Sequence, residues 1–95
     1  MTQIKRHYYK LVDGSILTKK EKKIINEMRA DENKNIICFN GWDVKYKYNG
    51  LTIPFYQALN FVHTSDLFYK TKTERSGYTT TEYFSLTELG KTISL

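Results

Sequence analysis

Two Asn-Gly pairs, Asn40-Gly41 and Asn49-Gly50, bracket the segment that most limits how this chain can fold. Between them, apolar residues alternate with polar ones: Trp42, Val44, Tyr46 and Tyr48 are separated by Asp43, Lys45 and Lys47. A period of two places successive side chains on opposite faces of a sheet, so we expect a strand with an apolar core face and a mostly cationic face. Asn-Gly favours the positive φ angles of a two-residue turn, and Asn40-Gly41 therefore predicts a tight hairpin with the apolar run 35–39.

A helix is predicted to begin at Thr18, because Thr18 and Glu21 form a capping box. In such a box the Thr hydroxyl accepts the Glu amide while the Glu carboxylate accepts the Thr amide. The helix should end near residue 31 or 32. Its narrow apolar stripe consists of Ile24, Ile25 and Met28.

A second helix is predicted over 53–64, where Pro54 suits the first turn. Its apolar residues Phe55, Ala58, Leu59 and Val62 recur at the spacing of a core-facing stripe, which Phe61 widens. The predicted core combines both helices with the strands, and consists of Ile24, Ile25, Met28, Val44, Phe55, Leu59, Val62, Leu67, Phe84 and Leu86.

The C-terminal third predicts two strands, 67–73 and 78–86, around the turn 74–77, with Gly77 supplying a positive φ. Thr87 can cap a last short helix from Glu88 to about Ile93, although Gly90 should weaken it. Near the other end, residues 4–12 read as a short strand or an extended arm.

Length and composition favour one α+β domain over residues 1–95. Hydrophobic residues make up 40 % of the chain, which is enough for one modest core but leaves little room for a large cofactor. A single cysteine, Cys38, excludes an internal disulfide and favours a reducing compartment. Without a signal-peptide pattern or an apolar run of membrane-spanning length, we expect a cytoplasmic protein with no membrane partner. The abundance of Lys, Asn, Ile and Tyr suggests an AT-rich source such as a phage, plasmid or mobile element.

Candidate catalytic and metal sites are weak in this sequence. His63-Thr64-Ser65-Asp66 contains the residue types of a catalytic trio, but a helix end with Ser and Asp as turn formers explains it better. His7, His63 and Cys38 are too scattered to predict a zinc site, and Cys38 reads as a small core residue. No phosphate-binding glycine loop is present. We therefore expect no enzyme activity, no metal and no cofactor.

The stretch Tyr83-Phe84-Ser85-Leu86-Thr87-Glu88-Leu89-Gly90 resembles the end of the wing in winged-helix proteins of the MarR and PadR kind. In that family an aromatic strand leads from the wing into a Leu-Thr-x-x-Gly helix start, and Leu67-Phe68-Tyr69-Lys70 matches the strand entering the wing. The resemblance covers 53–93. It implies an α+β, winged-helix-like small domain with two main helices, β-hairpins and a C-terminal wing. The chain departs from the family upstream, where two helices rather than three precede the wing and helix 53–64 carries no Lys or Arg.

The resemblance and a net charge of +5 favour a polyanionic partner, and duplex DNA is the partner expected first. Wing residues can contact phosphates or reach the minor groove. The predicted nucleic-acid-binding residues are two clusters of cations with one aromatic residue: Lys19, Lys20, Lys22 and Lys23 on the first helix, and Lys70, Lys72, Arg75 and Tyr78 on the wing. The plainer interpretation is a solvated helix face and a hairpin whose charges protect a sheet edge.

The first function predicted is therefore a small, non-catalytic DNA-binding regulator or accessory factor. The alternative is a phage-type inhibitor that binds a host protein, for example an anti-CRISPR or a replication inhibitor, since one fold serves both functions. A homodimer is left open. No DNA sequence or host target can be read from the chain.

Overall fold

The computed structural model describes residues 17–95, so the strand or arm predicted over 4–12 lies outside the described residues. The described chain is of the predicted α+β class, with helices packed on one face of a five-stranded antiparallel sheet of order β3-β2-β1-β5-β4. The elements in chain order are α1 (Lys19–Ala30), β1 (Ile36–Asn40), β2 (Val44–Tyr48), β3 (Leu51–Ile53), α2 (Phe55–Ala58) with a π-helical continuation (Leu59–Thr64), β4 (Phe68–Ser76), β5 (Thr79–Leu86) and α3 (Glu88–Thr92).

Helix α1 begins as the capping box predicts. The Thr18 hydroxyl accepts the Glu21 amide at 3.1 Å, and the Glu21 carboxylate accepts the Thr18 amide at 2.8 Å. The Glu21 side chain is fully buried and its other oxygen accepts from Gln57 Nε2 at 2.9 Å. A buried carboxylate is costly unless it is hydrogen-bonded, and the amide of Gln57 provides one of these bonds. The bond also connects the start of α1 to the second helical segment.

The two Asn-Gly pairs behave differently. Asn49 and Gly50 have φ angles of 52° and 82° between the paired residues Tyr48 and Leu51, so they form a two-residue hairpin turn. The tight turn predicted at Asn40-Gly41 is wrong, because Asn40 pairs with Val44 and three residues, 41–43, connect β1 to β2. Gly41 lies close to the other hairpin, where a Cβ atom on it would lie 2.9 Å from Thr79 Cγ2.

The helix predicted over 53–64 starts later and changes its winding. Ile53 ends strand β3, and after one α-helical turn the chain continues as a π-helix from Leu59. Since π-helical hydrogen bonds span five residues, the buried stripe departs from the predicted spacing. Phe61 is fully buried, as the widened stripe predicts, but Leu59 and Phe55 were wrongly predicted in the core, since Leu59 is half-buried and Phe55 is 43 % exposed.

The core lies between the helices and one face of the sheet. Tyr46 and Tyr48 are buried there, as the alternation predicts, and Cys38 is buried as the predicted small core residue. Val44 was predicted in the core but is 38 % exposed, and Trp42 was expected on the same core face but is fully exposed, because it precedes β2 and lies outside the alternation. The buried apolar residues are Leu17, Ile25, Met28, Ile36, Cys38, Tyr46, Tyr48, Ile53, Ala58, Phe61, Val62, Leu67, Phe68, Phe84, Leu86 and Ile93, with Ile24 packed against them.

The β4–β5 hairpin is longer than predicted. Strand β4 continues through Ser76, which pairs with Thr79, so the turn is Gly77-Tyr78 rather than 74–77. Gly77 has the predicted positive φ, 59°. The register shifts at Thr71, since Lys70 pairs with Phe84 but Lys72 pairs with Tyr83. Thr71 is the extra residue of this β-bulge. Lys70 therefore lies on the same face of the sheet as Phe84, whereas Lys72 lies on the opposite face with Tyr83.

Helix α3 is fastened to both the sheet and α1. The Thr87 hydroxyl caps it by accepting the Gly90 amide at 3.1 Å, and Arg29 donates to the carbonyls of Gly90 and Ile93 at 3.1 and 2.6 Å. Gly90, expected to weaken the helix, is buried where a Cβ would lie 2.3 Å from the carbonyl oxygen of Leu67. Glycine is therefore required for the helix to dock this closely.

Gly90→Ala should destabilise the fold by about 3 kcal/mol, although alanine is the better helix former by about 1 kcal/mol. The added methyl group would push α3 away from the Leu67 backbone, which is less able to move than a side chain. Thr92→Ala, at an exposed position of the same helix, is the matched control and should change stability little. Urea unfolding of both variants measures the difference, and equal stabilities would show that α3 does not dock in this way.

Candidate nucleic-acid interface

The sheet face opposite the helices, called the open face below, combines cations with aromatic rings. Strand pairing places its side chains in two rows across the sheet. Ile37 lies between Lys47 and Tyr83, with Lys72 beyond Tyr83, and Phe39 lies between Lys45 and Thr81, with Glu74 beyond Thr81. Within the described residues, the charged strand residues of this face are Lys45, Lys47, Lys72 and Glu74, three cations against one carboxylate.

The aromatic members of the open face remain accessible. Phe39 is 41 % exposed and Tyr69, further along β4, is 53 % exposed, while Tyr83 is half-buried. Accessible aromatic rings beside lysines suit a nucleic-acid strand, because bases stack on aromatic faces while phosphates bind the cations. The face is also the surface of an antiparallel sheet that solvent ordinarily covers.

Lys72, Glu74 and Tyr83 form a connected cluster on this face. Lys72 Nζ lies 2.9 Å from one Glu74 oxygen, the Tyr83 hydroxyl donates to the other at 2.8 Å, and Lys72 Nζ is 5.3 Å from the centre of the Tyr83 ring. The hydrogen bond from Lys72, followed by that from Tyr83, lowers the pKa of the Glu74 carboxyl. Glu74 is thus ionised at neutral pH, and its carboxylate pairs with the Lys72 ammonium.

The predicted wing cations do not share one surface. Lys70 lies on the helix side of the sheet, where its Nζ is 3.1 Å from Glu82. Arg75 pairs with Thr80 and also belongs to the helix-side face, whereas Lys72 belongs to the open face. The bulge at Thr71 separates them, because without it residues 70 and 72 would point the same way.

The predicted lysine cluster of α1 is a second basic surface. Lys19, Lys20 and Lys23 are exposed and Lys22 is half-buried. Lys23 is 4.0 Å from the Glu27 carboxylate, an exposed pair that contributes little to stability. Since α1 packs on the helix side of the sheet, these lysines lie in the layer opposite the open face.

Tyr78, the remaining predicted residue, lies at the tip of the β4–β5 hairpin and is fully exposed. Trp42, at the tip of the neighbouring hairpin, is equally exposed and lines the same concave surface together with Gly41 and Thr79. The sequence favours a core position for the face of Trp42, Tyr46 and Tyr48, with an exposed, base-stacking face as the alternative; Trp42 is exposed, whereas Tyr46 and Tyr48 are buried. Sequence reasoning passed over Lys45 and Lys47, although the same alternation had already placed them on a cationic face.

On the helix side, Tyr46 and His63 are joined by a hydrogen bond of 2.7 Å between the hydroxyl and Nε2. The His63 ring also packs edge-on against Phe84, with 5.3 Å between ring centres. Burial raises the pKa of the Cys38 thiol and of the Tyr46 hydroxyl, so both stay protonated at neutral pH. A protonated, buried thiol is a poor nucleophile, and Cys38 and Tyr46 are better explained as core packing. His63 is an exposed residue whose ring lies at the edge of that core.

The rest of the apparent catalytic trio closes a helix, as predicted. Ser65 Oγ donates to the Phe61 carbonyl and accepts the Leu67 amide at 3.2 Å. In residues 17–95 no group of three or more His, Cys, Asp or Glu is placed to hold a metal ion. Over the same range, no helix is long and apolar enough to cross a membrane.

Comparison of the chain with protein-family models, with curated proteins and with solved structures found no match. The winged-helix resemblance of residues 53–93 therefore stays a prediction.

His63 should make the fold sensitive to mild acid. Burial of part of its ring lowers its pKa, an effect opposed by nearby Glu82 and reinforced by Lys70. The unfolded chain then binds the proton more readily, so stability is complete above about pH 6.5 and declines as the pH falls through the lowered pKa. Urea unfolding at about pH 7.5 and about pH 5.5 should show this loss in the wild type.

His63→Gln should flatten that pH dependence, since glutamine can still accept from Tyr46 but does not titrate. His7→Gln removes the other histidine and is the control, which should keep the wild-type slope. An identical loss of stability in His63→Gln and the wild type would assign the acid sensitivity to other groups.

Proposed function

We propose that this chain is a small, non-catalytic nucleic-acid-binding protein whose contact surface is the open face of the sheet. The observation that carries the proposal is the placement of Lys45, Lys47 and Lys72 around Phe39 and Tyr83 on a face directed away from the helices. Phosphates neutralise such lysines and release counterions, and this release supplies the sequence-independent part of nucleic-acid affinity. The net charge of +5 favours the same class of partner.

Of the winged-helix-like interpretation, only the wing supports this proposal. The β4–β5 hairpin, with Lys72 on one face and Arg75 on the other, supports phosphate contacts by a wing. Residues 55–64, the segment in place of a recognition helix, contain no Lys or Arg. Binding to the expected partner, duplex DNA, would therefore depend on backbone contacts and show little sequence preference.

A second candidate, binding to a protein, is favoured by one apolar patch. Leu51, on edge strand β3, is 71 % exposed, and Tyr56 and Phe55 on α2 are 79 % and 43 % exposed. Exposed apolar and aromatic side chains beside a sheet edge are typical of protein contacts. This patch fits the alternative of an inhibitor that binds a host protein.

Removing the open-face lysines should weaken binding without unfolding the protein. In the triple variant Lys45→Ala, Lys47→Ala and Lys72→Ala, affinity for a labelled oligonucleotide should fall roughly tenfold or more at ~50 mM salt, and the salt slope should decrease by about two to three. The lysines are exposed or half-buried, so the thermal melt should barely change. Fluorescence anisotropy from ~50 to ~200 mM salt measures both quantities.

The control for this experiment is Lys19→Ala, Lys20→Ala and Lys23→Ala on α1. It removes the same charge from the layer opposite the open face. Its loss of oligonucleotide affinity should be smaller than that of the open-face variant, because the position of the charges matters as well as their total. A larger loss in the α1 variant would move the interface to α1. Absence of binding by the wild type at low salt would favour the apolar patch and a protein partner.

Glu74→Gln should strengthen binding a few-fold, because it frees Lys72 from the carboxylate 2.9 Å away. Glu82→Gln is the matched control: it removes the same charge from the same hairpin, but on the helix side, where Glu82 pairs with Lys70. Anisotropy titrations of both variants, with thermal melts to check folding, make the comparison. An equal gain in both variants would mean that only net charge matters and that the open face is not the contact surface.

A further inference from the structure

The two most exposed aromatic side chains of the described residues, Trp42 and Tyr78, lie at adjoining hairpin tips. Trp42 is in the connection 41–43 between β1 and β2, and Tyr78 is in the turn of the β4–β5 hairpin. Strands β1 and β5 are neighbours in the sheet, so the tips of the two hairpins end at the same place. Both side chains are as accessible as in an extended chain, which means that neither ring covers the other.

The pairing of β1 with β5 brings the two tips together. Asn40 pairs with Thr80, and the next residue, Gly41, lies so close to Thr79 that a Cβ atom on it would lie 2.9 Å from the Thr79 methyl group. Gly41, Trp42, Tyr78 and Thr79 line one concave surface. The sheet thus presents two uncovered rings beside one shared concave surface.

Such an arrangement suits a flat, aromatic ligand that carries negative charge. Tryptophan is largely buried in most folded proteins, so a fully exposed one at a hairpin tip indicates a contact surface. Arg75 and Lys45 lie on the strands close behind the two tips, with Asp43 as the nearby carboxylate in the β1–β2 connection. A nucleotide joins an aromatic base to a phosphate and matches both features.

We propose that the chain binds single-stranded nucleic acid, with an unpaired base stacked on Trp42 and Tyr78 and the adjoining phosphates along the lysines of the open face. This inference rests on the nucleic-acid binding proposed above and specifies its substrate. Bases inside a duplex are already stacked on their neighbours, whereas unpaired bases offer their faces to aromatic side chains. A fully paired duplex would contact the lysines alone.

Trp42 provides its own probe, because it is the sole tryptophan of the chain. A thymidine oligonucleotide should quench its fluorescence and saturate at the concentration at which anisotropy of the labelled oligonucleotide saturates. A duplex of the same length should bind more weakly and leave the emission nearly unchanged. Both titrations use the full chain at low salt.

Trp42→Ala and Tyr78→Ala should each weaken single-strand binding about fivefold to a hundredfold, while duplex binding stays the same. Tyr56→Ala is the matched control, since Tyr56 is a similarly exposed aromatic residue on α2 in the helical layer. It should retain wild-type affinity. Thermal melts should be unchanged in all three variants, because the side chains removed are exposed.

The outcomes separate this inference from the broader function. The stacking site would be overturned if the oligonucleotide binds without changing Trp42 emission, or if binding is retained in Trp42→Ala. If that binding still depends on the open-face lysines, the nucleic-acid-binding function would stand. Equal affinity for duplex and single strand would overturn the single-strand preference in the same way. No binding of either nucleic acid at low salt would overturn both.

Discussion

The antiparallel pairing of β1 with β5 is the interaction on which the rest of the structure depends. It joins residues 36–40 to residues 80–84 and so unites two hairpins that are separate along the chain. Ile36 opposite Phe84 begins the core on the helix side, while Ile37 opposite Tyr83 begins the open face. The same pairing brings the hairpin tips together. Because it links distant segments, it must overcome a larger loss of chain entropy than either local hairpin.

Local features of the fold could be predicted from the sequence because their causes are local. The Thr18–Glu21 capping box, the Thr87 cap and the positive φ of Gly77 each depend on a few adjacent residues, and all are present. The tight turn predicted at Asn40-Gly41 was wrong because the pairing of Asn40 with Val44 leaves three residues, 41–43, between β1 and β2. The π-helical winding that buries Phe61 has no recognised sequence signal and reflects packing against the sheet.

The sequence indicated some residues of the candidate site, but not which of them lie on the same face of the sheet. Closeness in sequence groups Lys72 with Lys70 and Arg75, yet strand register places Lys72 on the same face as Lys45 and Lys47 instead. Cross-strand neighbours are set by sheet order, which the period of a single strand does not reveal. The hydrogen bond between Tyr46 and His63 also joins separate elements, and it was not anticipated.

The bulge at Thr71 allows β4 to have nine residues where its partner β5 has eight. On the turn side of the bulge, each residue of β4 still pairs with its partner on β5, from Lys72 opposite Tyr83 to Ser76 opposite Thr79. Loss of the residue at position 71 would therefore straighten β4 and leave Lys72 on the open face. A residue lost between Lys72 and Gly77 has no such extra position to compensate for it, so natural variants of this chain should differ in length at the bulge rather than in the outer hairpin.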